Sequence, residues 1–193
     1  MDLTFATFLS FARTTVRSPR DAARQLLALG LPAGTSWLAL AVVCLLSSLL
    51  FHLSLGLVTL PTGDPELTEI AITPMGTVFV SALALLILVF AVHLIGRLFG
   101  GKGDLAQAAL LIAWLQAVFL ILQAVQVLAL LILPPLADII GSFGLILFLW
   151  LLAPFVTELH GFTSPWKVLF GIIFSAVGLA FLVSFLFVFL VGV

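Results

Sequence analysis

Polar residues in this chain come in short clusters, and long apolar runs separate them. Five runs stand out, at 36–58, 76–99, 105–133, 139–159 and 168–191. A bilayer core about 30 Å thick needs roughly 20 apolar residues at about 1.5 Å rise per residue, so each run is long enough for one transmembrane helix. Helix breakers stand between them: Pro61, Gly63, Pro65 and Pro74 after the first, Gly100, Gly101 and Gly103 after the second, Pro134 and Pro135 after the third, Gly161 and Pro165 after the fourth. The third run exceeds what a span requires, which predicts tilt or an interfacial first turn. The pattern predicts an all-α, polytopic membrane protein with a five-helix transmembrane domain over 35–193.

Residues 1–34 follow a different pattern. Phe5, Phe8, Leu9, Ala12 and Val16 recur at helical spacing on one side. Ser18 and Pro19 read as N-cap and first residue of a second helix, with Asp21 completing a short capping box, and Gly30 and Pro32 stop it. Arg17, Arg20 and Arg24 share one face of that segment; Ala22, Leu26 and Leu29 share another. The apolar stretch precedes the arginines, the reverse of a secretory signal. The segment is expected to form amphipathic helices lying in the membrane interface. Arg13, Arg17, Arg20 and Arg24 would bind lipid phosphates at the membrane surface.

Composition agrees. The chain of 193 residues is 64% hydrophobic and 8% charged, with a mean hydropathy of +1.41. A soluble domain is about a quarter charged, so a soluble, disordered or nucleic-acid-binding protein is excluded. The placement of charge carries more than its balance. In a five-span chain all seven basic residues fall on one side, while Asp64, Glu66, Glu69 and Asp138 fall on the other. Basic residues of short loops stay cytoplasmic, which predicts N-in, C-out. Trp37 and Trp166 fit interfacial anchors on the basic side; Trp114 and Trp150 lie deeper and read as packing residues.

Few residues offer chemistry. The stretch from Gly96 to Lys102 matches a phosphate-binding loop up to its lysine, but Gly103 replaces the magnesium-binding hydroxyl and the segment follows a membrane helix, so nucleotide is not expected. Gly96 and Gly100 form a GxxxG that could serve close helix approach or simple helix termination. Ala106, Ala113, Ala117 and Ala124, the trio Gly171, Ser175 and Gly178, and the pair Cys44 and Ser48 are further small residues suited to helix contacts. No Asp, Glu, Lys or Arg lies mid-span, although His52 and His93 lie about two turns inside theirs. Gln116, Gln123 and Gln126 fall within roughly 80° of one helix face and form the candidate buried polar face. They would hydrogen-bond between helices or line a polar groove. His93, Arg97, Glu158 and His160 form a candidate cytoplasmic cluster, in which Arg97 or Lys102 would pair with Glu158 and pin the second span to the fourth. A single cysteine, Cys44, leaves no intramolecular disulfide and no cysteine-based zinc site. No catalytic set is recognisable, so neither an enzyme, a metal nor a cofactor is expected.

Three stretches carry a family resemblance: Arg17-Ser18-Pro19-Arg20, then Phe99-Gly100-Gly101-Lys102-Gly103 after the second span, then Glu158-Leu159-His160-Gly161-Phe162 after the fourth. In this order, with five spans, the chain resembles the bacterial branch of the Yip family, the Ypt/Rab-interacting membrane proteins. The resemblance implies a five-helix membrane domain with a cytoplasmic N-terminus, here in the bacterial inner membrane. Eukaryotic members are associated with Rab GTPases and vesicle traffic. It brings no catalytic residues. The expected role is non-catalytic: organising lipid, or scaffolding another membrane protein or a second copy of itself. The alternative is a small transporter or channel that uses the glutamine face.

Overall fold

The structure, a computed structural model, describes residues 4–57 and 73–191. The regular elements among them are seven helices: α1 (Phe5–Arg17), α2 (Pro19–Ala28), α3 (Ala33–Leu57), α4 (Pro74–Leu98), α5 (Leu105–Ile132), α6 (Pro134–His160) and α7 (Pro165–Val191). The chain is all-α. Among the described residues, four stretches are long and apolar enough to cross a membrane: Ala33–Leu55 of α3, and the whole of α4, α5 and α6. Within α7 the stretch Pro165–Gly178 is apolar but shorter than a span. Most of the polar connection expected after the first span lies outside the described residues.

Helix ends follow local chemistry. Thr73 caps α4, its hydroxyl accepting from the Gly76 N–H at 3.1 Å, with Pro74 at the first helical position. Gln107 reaches back from the first turn of α5 to accept from the Asp104 N–H at 3.3 Å. Gly161 ends α6 at φ +71°, a conformation that suits a residue without Cβ, and the Phe162 N–H returns to the Thr157 carbonyl at 2.9 Å.

Several expected boundaries move. Pro134 and Pro135 do not merely end the third span; they occupy the start of α6, so only Leu133 separates α5 from α6 and α6 begins several residues before 139. Proline fits there because the first N–H groups of a helix have no intrahelical partner. At α2, Pro19 takes the first helical position as expected, but the Ser18 side chain makes no capping bond and Asp21 pairs with Arg24 at 3.3 Å.

Central helix α5 packs against α3, α4, α6 and α2. Its buried positions include Ala108, Ala109, Ala113 and Ala117 among Leu111, Ile112 and Leu115. Large apolar side chains point the other way: Leu38, Phe79, Phe143 and Phe174 are all exposed. Small inside and large outside is the arrangement of helices that meet by close backbone approach and turn their bulk toward hydrocarbon.

Candidate functional site

The two N-terminal helices do not lie apart from the bundle. Their docking is built from two hydrogen bonds, two aromatic contacts and two ion pairs. The Trp114 indole N–H donates to the Thr15 hydroxyl at 2.9 Å, and the Trp150 indole N–H donates to the Val16 carbonyl at 3.1 Å. Phe8 and Phe11 pack on the Trp114 ring, with centroids 5.5 Å and 4.8 Å away. On α2, the Arg20 and Arg24 guanidinium groups converge on Glu158: Arg20 Nε lies 2.5 Å from one carboxylate oxygen, and Arg24 Nε lies 3.2 Å from the other. Glu158 is 13% exposed, so its charge is largely withdrawn from solvent and held by two cations. The hydrogen bond to Glu158, then its charge, raises the Arg24 pKa above the ordinary arginine value.

This corrects three expectations. Glu158 pairs with α2, not with Arg97 or Lys102. Arg20 and Arg24 grip a carboxylate of the bundle, while Arg13 and Arg17 stay exposed with no ion pair among the described residues. Trp114 packs as expected and also hydrogen-bonds α1, whereas Trp150 is half exposed and holds α1 through its indole N–H. The apolar side of α1 is also divided. Phe8, Phe11, Ala12 and Thr15 face the bundle, whereas Phe5, Leu9 and Val16 form an exposed stripe within roughly 40° of each other. At ~100° per residue, Arg13 and Arg17 border that stripe.

His160, two residues beyond Glu158, looks the other way, since two residues on a helix are roughly 200° apart. It is 2% exposed. One ring nitrogen, Nδ1, accepts from the Gly103 N–H at 3.2 Å; the other, Nε2, lies 3.1 Å from the Val92 carbonyl. A carbonyl cannot donate, so the ring is the neutral tautomer protonated on Nε2. Three glycines make room for it. A Cβ on Gly96 or Gly101 would strike the imidazole, and one on Gly103 would strike Leu159. Of the GxxxG pair, Gly96 thus serves close approach, to a side chain, while Gly100 at φ +85° ends α4. The expected cluster of four is therefore two separate places. His160 sits among the α4–α5 glycines, Glu158 faces α2, and no hydrogen bond or ion pair among the described residues joins His93 or Arg97 to either.

The glutamine face meets α3 and α6. Gln116 Nε2 donates to the Ser47 hydroxyl at 2.9 Å, Gln123 Nε2 to the Ser47 carbonyl at 3.0 Å, and Gln126 Nε2 to the Ala137 carbonyl at 3.2 Å. All three also line a cavity of ≈ 590 Å³ between α3, α4, α5 and α6. Both outcomes left open by the sequence are present together. Cys44 is buried, as a small packing residue should be, and lines the same cavity. A second groove, of ≈ 490 Å³, runs between α4, α6 and α7, where Gly171 and Ser175 leave space instead of making contact.

The docking of α1 was not foreseen, although one signal was available. A tryptophan deep in an apolar run needs an acceptor for its N–H. Among known families, the Yip1 domain matches residues 13–185 of the chain. No curated protein and no solved structure matches the chain.

Proposed function

The chain belongs to the Yip1 domain family, and on that premise we propose that it is a non-catalytic five-span protein of the bacterial inner membrane that organises anionic lipid on its basic, cytoplasmic side. One observation carries the reading. The amphipathic hairpin α1–α2 is clamped to the bundle through Glu158, Trp114 and Trp150, so the exposed stripe of Phe5, Leu9 and Val16, and Arg13 and Arg17, which have no ion pair among the described residues, are held at a fixed place.

Depth supports it. Trp114 lies nine residues into α5, roughly 14 Å from the basic end of a helix about 42 Å long at ~1.5 Å per residue. With a hydrocarbon core of about 30 Å centred on such a helix, α1 would sit about 8 Å below the acyl boundary. That is the depth at which interfacial amphipathic helices lie. Arginines there reach up to the phosphates along their apolar stems.

The test is lipid sorting by the full chain in mixed phosphatidylglycerol–phosphatidylcholine vesicles, read by energy transfer from the protein to each labelled lipid. Each basic residue near an anionic surface contributes about 1 kcal/mol. The Arg13→Gln/Arg17→Gln variant should therefore lose about thirtyfold in preference for phosphatidylglycerol. An unchanged preference, or equal sorting of both lipids by the wild type, would overturn the proposal. A small transporter or channel is the second reading, favoured by the cavity beside the glutamines. It predicts solute flux into proteoliposomes that Gln123→Leu abolishes.

A further inference from the structure

The cavity between α3, α4, α5 and α6 has a chemistry that lipid sorting on the basic side does not use. Gln123 and Gln126 each donate through Nε2 to a backbone carbonyl. A carbonyl only accepts, so both amides are oriented, with nitrogen toward the helix and oxygen turned away from that bond. Among the described residues, no donor meets either oxygen. Neither is sealed in: the buried polar side-chain atoms without a partner are Ser48 Oγ, His52 Nδ1 and His93 Nδ1. The two amide oxygens thus keep some exposure on half-buried residues that line the cavity, and in an apolar bundle an acceptor without a donor is costly.

Position and lining sharpen the picture. Gln116 is eleven residues into α5, and toward the basic end the cavity stops at the packed core of Leu111, Ile112, Leu151 and Phe155, each 2% exposed or less. It extends the other way to Gln126 and Gly141, near the turn between α5 and α6. A Cβ at Gly141 would lie 2.9 Å from the Gln126 amide nitrogen, so a side chain there would push that amide aside. Among the described residues, no Lys, Arg, Asp or Glu lines the cavity. An anion would face acceptors with no cation to balance it, and a full cation would have no counter-charge in a low-dielectric site. What remains is a neutral hydrogen-bond donor, and a polyol presents paired O–H groups to two such acceptors.

We infer that this cavity is a binding site for a neutral polyhydroxyl group, received by the Gln123 and Gln126 carbonyl oxygens. The group can belong to a free polyol or to the glycerol end of a neutral lipid. The inference holds whether or not anything crosses the membrane, and it is independent of the hairpin.

Cys44 is the chain's only cysteine and lines the cavity, so it reports occupancy directly. A thiol reacts as thiolate, which requires water to reach it. The full chain in phosphatidylcholine nanodiscs is treated with a water-soluble methanethiosulfonate, with Cys44→Ser as blank. Labelling of Cys44 is expected. Glycerol at about twice its dissociation constant should slow labelling about threefold, and glycerol trimethyl ether, which gives no hydrogen bond, should not. Diacylglycerol in the disc, against its acetylated form, distinguishes a lipid source from a solute. In Gln123→Leu/Gln126→Leu, labelling should persist while protection disappears. Gly141→Ala, which displaces only the Gln126 amide, should weaken protection if the double variant does not fold. No labelling of Cys44 overturns the inference, as does equal protection by glycerol and its ether, no protection by glycerol or diacylglycerol, or protection that survives loss of the amides.

Discussion

Gly96 and Gly100 differ by one turn of sequence and by what a methyl group would meet. At Gly96 it would strike the His160 ring; at Gly100 it would meet open space on a left-handed backbone. Gly96→Ala should therefore cost about 1–3 kcal/mol through overpacking, and Gly100→Ala about 1 kcal/mol through backbone strain alone. Removing the ring separates the two. Combined with His160→Ala, the Gly96→Ala penalty should largely vanish, a coupling of about 1 kcal/mol or more, whereas the Gly100→Ala penalty should stay. Thermal unfolding of the five variants (three single, two double) in one detergent reads this, and additive penalties at Gly96 would contradict the packed niche. The glycines were legible as punctuation, because breakers between apolar runs are a local signal. That three of them enclose one histidine was not, since the contact joins residues 57 or more apart in the chain. Glu158 shows the same limit. Its need for a cation was readable from its charge and depth, but its partner lies 134 and 138 residues away, at Arg24 and Arg20. Proximity in the loop order favoured the wrong pair.

At the scale of elements, the hairpin α1–α2 is the part on whose docking the proposed function rests. Arg13, Arg17, Arg20 and Arg24 make it a natural substrate for trypsin, and cleavage requires local opening. Glu158→Gln removes the shared anchor of two arginines and should speed cleavage in the hairpin about tenfold, with the rest of the chain unaffected. Arg13→Gln, which breaks no hydrogen bond or ion pair among the described residues, should leave the remaining sites as slow as in the wild type. On the other helix, Thr15→Val and Trp114→Phe each remove one partner of a single hydrogen bond worth about 1 kcal/mol. In a double-mutant cycle they should be strongly non-additive in the same cleavage assay; independent effects would mean that Trp114 holds α1 by packing alone. The apolar periodicity of α1 was legible, but its division was not. A helix that packs on a bundle with one edge and meets lipid with the next is apolar on both, so Phe8 and Leu9 look alike in sequence and differ in what they touch.

For the whole molecule, long apolar runs led to an all-α membrane fold because hydrocarbon allows few other arrangements of a backbone. Exact limits were harder, since Pro134 and Pro135 serve equally as stops and as starts. The number of crossings is open to direct test. In a Cys44→Ser chain, single cysteines placed at Ser10 and at Gly192 should react with an impermeant thiol reagent from opposite sides of a sealed vesicle. Reaction from one side only would mean an even number of spans. The central claim, that a fixed basic hairpin organises anionic lipid, is tested most directly by native mass spectrometry of the intact particle released from nanodiscs of mixed lipid. The account predicts a monomer or homo-oligomer retaining phosphatidylglycerol in excess of phosphatidylcholine, with that excess lost in Arg13→Gln/Arg17→Gln. Equal retention of both lipids, or the same excess in the variant, would contradict it.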